Sequence, residues 1–232
     1  MELWIPITIA AAFLQNLRSV GQKHLKSVMG TTGATFVRFG FGLPVAALFV
    51  LGLNSLAGYP FPHPGLVFLG WMTVGAFSQI GATFLLIHLF SFRNFAVGTA
   101  YSRTEPVQAA LFGLIFLGET VTVGVIAAIA VSVLGVMLIS IARTTMSWKN
   151  IFASLAQRTA LIGLASGMLF GIAAVAYRAA STSLGGPNFM MQAAVTLLFT
   201  IFLQTVLMLA WMVLREPAEL GRIARAWKPS LF

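Results

Sequence analysis

The sequence predicts an all-α membrane protein, a helical bundle of about seven transmembrane helices. Of its 232 residues, 59% are hydrophobic and only 8% are charged, whereas a soluble domain carries about 25% charged residues. The apolar residues fall into seven stretches of helical length, with about 20 residues needed for each bilayer crossing. Lysine and arginine are concentrated in every second connection between these stretches. This enrichment in basic residues is typical of cytoplasmic loops in multi-pass proteins.

The predicted spans are separated by connections that are polar or rich in proline and glycine. They lie at 3–20, 33–53, 66–90, 95–117, 121–142, 159–183 and 189–214. The first span begins with MELW, which lacks the positive residues that open a secretory signal peptide. We therefore predict that this segment is a true transmembrane helix.

The charge pattern also predicts the orientation in the membrane. Basic connections follow the first, third, fifth and seventh spans, so these connections are expected in the cytoplasm. The protein is predicted to be a multi-pass protein of the plasma or bacterial inner membrane, surrounded by lipid, with its amino terminus outside and its carboxyl end inside. Because the net charge of +9 lies mostly in these connections, we predict no nucleic-acid partner.

Two segments outside the spans carry signals of their own. Residues 144–158 form a linker with apolar residues at helical spacing: Trp148, Ile151, Phe152 and Leu155. This spacing favours an amphipathic helix on the cytoplasmic membrane surface, and a plain tether between two helical halves is the alternative. Residues 215–232 are predicted to be a basic cytoplasmic tail or a loop that is cut short.

Glycine faces on two spans predict close helix packing. The sixth span carries Gly163, Gly167 and Gly171 at four-residue spacing, a pattern that lets two helix backbones approach each other. The third span carries Gly70, Gly75 and Gly81. We interpret both sets as structural.

Three residues of the fourth span are unusual at membrane depth: Arg103, Glu105 and Pro106. An ionisable residue there costs roughly 2.5–3.5 kcal/mol on insertion scales, and such residues face other helices or a wet cavity. Pro106 leaves the Ser102 carbonyl without its intrahelical partner, so a kink or an opened turn is expected. We interpret this segment as part of the wall of a translocation path.

Glu105 has two interpretations that the sequence leaves open. An isolated carboxylate in a low-dielectric site is a suitable proton carrier. A nearby Arg103, Arg38 or Arg178 would instead make it a static member of a buried ion pair. Because residues two apart do not face each other on a regular helix, Arg103 reaches Glu105 only if Pro106 distorts the turn.

Further polar and aromatic residues extend the candidate path. Arg178 either reaches the outer interface or faces an anionic substrate. Arg38 is expected to extend to the cytoplasmic headgroups. The other candidates for lining the path are Asn16, Gln79, Tyr101 and Trp71.

Other functional classes find little support in the residues. The sequence has no cysteine, no glycine-rich nucleotide loop and no metal-binding motif, so we predict neither an enzyme nor a cofactor. A retinal protein needs a lysine in its last helix, and 189–214 contains none. A lipid-modifying enzyme would need several histidine or aspartate residues at one membrane–water interface, and the sequence has no aspartate.

The order of features from the third to the fifth span is that of a known family. TEPVQAALFGLIFLGET, with Pro106 and the pair Gly118-Glu119, is followed by VGVIAAIAVSVLGVMLIS, and Arg38-Phe39 opens the second span. This resembles the EamA domain of the drug/metabolite transporter superfamily. The resemblance implies two five-helix repeats of inverted topology. Residues 1–143 would form the first repeat, and 159–214 would form the first two helices of the second.

The resemblance also implies a function. The protein would be a secondary transporter that exports small metabolites, amino acids or amphiphilic compounds by alternating access, with proton coupling through Glu105 as one mechanism. Either the sequence stops within a longer protein or a partner subunit, as in a homodimer, completes the bundle. The alternative is a non-transporting membrane assembly partner or a receptor-like helical protein.

Overall fold

The computed structural model describes residues 4–92, 99, 101–118, 120, 122–142, 157–186, 188–228 and 230. In these ranges all regular secondary structure is helical, which confirms an all-α protein. The surface helix or tether was predicted at 144–158, and its residues 144–156 lie outside the described residues, as does Glu119.

The helices follow the predicted spans closely. They are α1 (Trp4–Leu25), α2 (Thr31–Gly40), α3 (Gly42–Ser55), α4 (Leu66–Leu89), α5 (Glu105–Leu117), α6 (Val123–Ala142), α7 (Arg158–Ser183), α8 (Phe189–Arg215) and α9 (Pro217–Arg225). Four segments of the described chain are long and apolar enough to cross a membrane: α2 with α3, then α4, α7 and α8. The protein is therefore an all-α membrane protein, and these four segments coincide with predicted spans.

The fourth predicted span is divided by a turn. The chain is helical at Tyr101 and Ser102, turns at Arg103 and Thr104, and begins α5 at Glu105. Pro106 lies in the first turn of α5, where its missing N–H costs nothing. The opened turn expected at Pro106 is thus present, and α5 is a shorter apolar helix of 13 residues.

The bundle is centred on α4 and α7, which pack along much of their lengths. Ala76 and Ala82 on α4 and Ala173, Ala176 and Ala180 on α7 are almost completely buried. The Ser166 hydroxyl of α7 donates a hydrogen bond to the Ala82 carbonyl at 2.8 Å. Small side chains allow this approach, and the interhelical hydrogen bond fixes the register of the two helices.

The glycine residues on one face of α7 allow α5 to pack closely against α7. A Cβ atom added at Gly167 would lie 3.0 Å from the Ser102 carbonyl oxygen, and one at Gly171 would lie 3.0 Å from the Ala109 backbone nitrogen. Both distances are tighter than ordinary contacts. The prediction that these glycines serve close packing is therefore confirmed, and the turn at Arg103 is held against α7.

The outer surface of the bundle is strongly apolar. Phe13 on α1, Leu48 on α3 and Leu214 on α8 expose 69%, 69% and 78% of their surfaces. Contiguous apolar surface of this kind marks contact with a membrane rather than with water. The polar groups described below are therefore enclosed by a bundle whose outside is suited to lipid.

The end of the chain forms a helix that docks on the first connection. In α9, Glu219 is buried, accepts a hydrogen bond from the Gly30 N–H at 2.8 Å, and forms an ion pair with Arg222. Gly30 precedes the first residue of α2, so the carboxylate lies where a helix N-terminus favours negative charge. This contact fixes α9 to the connection between α1 and α2.

Candidate functional site

A cavity of about 370 Å³ lies inside the bundle, and we refer to it as the arginine cavity. Five helices contribute to its wall: α1, α2, α4, α7 and α8. Its lining residues are Arg18, Arg38, Phe39, Gln79, Tyr177, Arg178, Ser181, Ala193, Thr196, Leu197, Thr200, Ile201 and Gln204. Three of them are arginines and none is acidic, so the lining carries a net positive charge.

Arg38 occupies the centre of this arrangement. Its Nη1 atom donates a hydrogen bond to the Thr83 hydroxyl of α4 at 2.8 Å. Its guanidinium carbon lies 5.6 Å from the centroid of the Phe39 ring and 5.8 Å from that of Phe170 on α7. The expectation that Arg38 extends to the headgroups is wrong, because the side chain turns inward between α4 and α7.

Arg18 of α1 lies at the junction of three openings. Together with Arg38 it lines the arginine cavity, a second cavity of about 550 Å³ beside α3, and a narrow crevice beside α5. The Arg18 Nε atom is buried without a hydrogen-bond partner among the described residues, as is the Gln22 Nε2 atom one turn further along α1. Two buried donor groups beside this junction are therefore unpaired within the described part of the chain.

Tyr177 and Gln204 build a hydrogen-bonded part of the cavity wall. The Tyr177 hydroxyl donates to the Gly75 carbonyl at 3.0 Å and accepts from Gln204 Nε2 at 3.1 Å. Gln204 Nε2 also lies 3.3 Å from the Ala76 carbonyl. These contacts join α4, α7 and α8, and they hold both polar side chains in fixed positions at the cavity.

The narrow crevice contains the charged pair that the sequence singled out. Arg103 and Glu105 line it together with Arg18 and Arg38. Arg103 is exposed, and its Nη2 atom donates to the Asn16 side-chain oxygen at 3.1 Å. Glu105 interacts electrostatically with Arg103 and Arg38. Within the described part of the chain, however, it forms no ion pair closer than 4 Å.

Of the remaining predicted site residues, some line the arginine cavity and others do not. Gln79 and Arg178 line the arginine cavity. Trp71 instead packs against the core cluster of Phe68, Met72 and Ala180. Tyr101 is buried, and its backbone carbonyl accepts from Thr104. The described residues bring together no group of three or more histidine, aspartate or glutamate side chains suited to a metal ion.

Sequence reasoning noted Gln204 on α8 but missed Thr196 and Thr200 in the same part of the cavity wall. Thr196, Thr200 and Gln204 all line it, and their four-residue spacing places them on one face of a helix. That spacing was the available signal, because a polar stripe in an apolar helix is not expected to face lipid. For Tyr177 the sequence holds no comparable signal.

The comparison with protein families gives one match. The model described as the EamA-like transporter family matches residues 2–141, which includes α1 to α5 and nearly all of α6. Neither the curated proteins nor the solved structures give a significant match.

Proposed function

This chain belongs to the EamA-like transporter family, a family of membrane transporters, and on that premise we propose that it moves small molecules through the arginine cavity. Secondary transporters commonly bind substrate at the interface of two repeats. The arginine cavity lies between α1, α2 and α4, which fall in the proposed repeat 1–143, and α7 and α8, which fall in the proposed unit 159–214. This position is the observation that carries the proposal.

The size and lining of the cavity support a small polar substrate. Its volume of about 370 Å³ falls at the lower end of the range of roughly 300–1,000 Å³ that is usual for ligand pockets. Apolar side chains such as Leu197 and Ile201 alternate with polar groups such as Gln79 and Gln204. We propose export of small metabolites, amino acids or amphiphilic compounds by alternating access.

Filling the cavity is expected to block transport. Ala193 lines the cavity and is exposed to it, so Ala193→Trp would occupy much of its volume without displacing a buried core residue. We expect at least a tenfold fall in the release of small molecules by cells that express the protein. The measurement is mass spectrometry of the growth medium, compared with cells that lack the protein.

The matched control is Ala210→Trp. Ala210 is exposed on the same helix and does not line the cavity, so this variant should release what the unchanged protein releases. Equal release by Ala193→Trp and the unchanged protein, at equal membrane levels, would show that the substrate takes another route.

For coupling, we propose that Glu105 is the proton-carrying group. Its carboxylate acts electrostatically on Arg38, and Arg38 lines both the crevice of Glu105 and the arginine cavity. A proton on Glu105 would therefore change the charge felt at the substrate site. The static alternative remains a purely structural role in a network with Arg103 and Asn16.

The variant Glu105→Gln is expected to uncouple transport from a pH gradient. In proteoliposomes loaded with the released compounds, a pH gradient should speed efflux by the unchanged protein. It should leave efflux by Glu105→Gln at the rate seen without a gradient. The control is Glu216→Gln, which lies between α8 and α9. A normal response to the gradient in Glu105→Gln would refute the proton-carrying role.

A further inference from the structure

The charges at the centre of the bundle are not balanced. Arg18, Arg38 and Arg103 meet around the narrow crevice, where Glu105 is the only acidic residue among the described lining residues. The arginine cavity and the second cavity beside α3 share Arg18 and Arg38 and have no acidic lining residue. Charges inside a membrane protein are normally paired. Within the described part of the chain, Arg18 and Arg38 have no carboxylate within ion-pair distance.

Among the described residues, four buried side-chain polar atoms lack a hydrogen-bond partner, and three of them belong to cavity-lining residues; the fourth is the Thr205 hydroxyl. Arg18 Nε and Gln22 Nε2 are buried on α1, and the Thr200 hydroxyl is buried on α8; none has a hydrogen-bond partner among the described residues. Buried donors are rarely left unpaired in native proteins. All three residues line cavities that Arg18 and Arg38 also line. Each of these groups is a hydrogen-bond donor, so each requires an acceptor atom. A ligand group with several lone pairs supplies more than one acceptor.

We propose that the arginine cavity binds the oxyanion of its ligand, a carboxylate or a phosphate, between Arg18 and Arg38. The proposal rests on the proposed transport function and specifies its substrate class as small organic anions. A guanidinium fork matches the geometry of both oxyanions. The Nη1 atom of Arg38 is engaged by Thr83, so Arg38 offers its other N–H groups, and the Arg18 side chain lines the same cavity.

The remaining lining indicates how the rest of such a ligand is held. Phe39, Leu197 and Ile201 present apolar surface to the arginine cavity, which suits a compact hydrocarbon or aromatic body. Amphiphilic cations are disfavoured, because the described lining of the arginine cavity contains basic side chains and no acidic one. The cavity thus selects, among the compounds proposed above, those that carry an acid group.

An oxyanion reaches this site from one of two sources. One source is a soluble metabolite, and the other is the phosphate of a lipid headgroup. The second cavity connects Arg18 and Arg38 with Val45 and Phe49 on α3, both of which are exposed on the apolar outer surface. The experiment therefore needs one arm for each source.

The soluble arm measures thermal unfolding of the full chain in an uncharged detergent. The probes are phenyl phosphate and benzoate, with benzyl alcohol as the uncharged analogue. We expect at least one of the two anions to raise the Tm by at least about 2 °C at saturation and benzyl alcohol to have no effect. The rise should disappear in Arg18→Gln and persist in Arg225→Gln, a matched change on α9, where Arg225 is exposed.

A second variant covers the case in which Arg18→Gln does not fold. Arg18→Lys keeps the charge but lacks the planar guanidinium fork that matches an oxyanion, so we expect it to need about tenfold more anion for the same rise in Tm, as the loss of a charge-assisted hydrogen bond predicts. In whichever Arg18 variant folds, a rise of the same size and at the same anion concentration as in the unchanged protein would overturn the proposal.

The lipid arm repeats the measurement in nanodiscs of phosphatidylcholine with and without phosphatidylglycerol. If phosphatidylglycerol raises the Tm through Arg18 and abolishes the response to phenyl phosphate, the bound oxyanion is a lipid headgroup. If only the soluble anions act through Arg18, the ligand is a metabolite. No response to any of these anions in the unchanged protein would refute the site, whereas the Ala193→Trp experiment would still test transport by itself.

Discussion

Replacing Gly75 by leucine is expected to destabilise the bundle more than any other single change considered for this protein. Gly75 lies directly beneath the Tyr177 ring, and an added Cβ atom would overlap the carbon atoms of that ring. Tyr177 cannot move aside freely, because its hydroxyl bonds to the Gly75 carbonyl and to Gln204. The variant would therefore separate α4 from α7, the pair on which the bundle is centred.

The magnitude follows from two costs. Overpacking a tight site costs about 1–3 kcal/mol, and each interhelical hydrogen bond lost within a membrane costs about 0.6–1.7 kcal/mol. Together they predict a fall in Tm of about 5–15 °C for a chain of this length, measured by thermal unfolding in detergent. Gly70→Leu is the matched control, since Gly70 lies on the same helix with no neighbouring atom within 4 Å. Equal Tm values for the two variants would contradict this account.

The elements that the sequence predicted well are those governed by local physics. The spans 66–90, 159–183 and 189–214 match α4, α7 and α8 within one or two residues, because a long apolar run has few alternatives to a transmembrane helix. The turn before Pro106 follows from the chemistry of one residue. The packing of Gly167 and Gly171 follows from their spacing, which puts both on one face of α7.

The site was harder to predict, because it depends on which way each helix faces. Arg38 is close to one end of a predicted span, and its depth alone suggested contact with headgroups. Its actual direction is set by Thr83, which is 45 residues away. Likewise, Tyr177 meets the Gly75 carbonyl across 102 residues of sequence. A single sequence gives the position of a residue along a helix but not the neighbours that its face will meet.

The contacts of Arg103 and Glu105 in the fourth span likewise depend on which neighbours each side chain meets. The sequence predicted a direct pair between Arg103 and Glu105 only if Pro106 distorts the turn between them. In the structure the turn directs Arg103 towards Asn16 on α1, while Glu105 acts on both Arg103 and Arg38 without a close ion pair in the described part of the chain. A buried pair that fixes helix register would require such a contact, and the proton-carrying role of Glu105 stays a prediction that the Glu105→Gln experiment tests.

Arg38→Met is expected to abolish transport while leaving the protein as stable as before or more stable. Methionine fills a similar volume, and the change removes a charge that costs roughly 2.5–3.5 kcal/mol at membrane depth. Among the described residues, the Thr83 hydroxyl and two aromatic rings contact this charge closely. Replacing buried charge by apolar groups is often neutral or stabilising. We expect at least a tenfold loss of release into the medium, and a Tm equal to or above that of the unchanged protein.

The comparison with Thr83→Val separates the two roles that Arg38 could have. Valine removes the hydrogen bond to Nη1 but leaves the guanidinium in the cavity, so transport should fall less than in Arg38→Met. If Arg38 instead served to hold the helices together, both variants would lower the Tm, and Arg38→Met would lower it more because it also loses the contacts with Phe39 and Phe170. A fall in Tm that tracks the fall in transport would therefore assign Arg38 to the scaffold. A loss of transport at unchanged Tm would assign its charge to the substrate path.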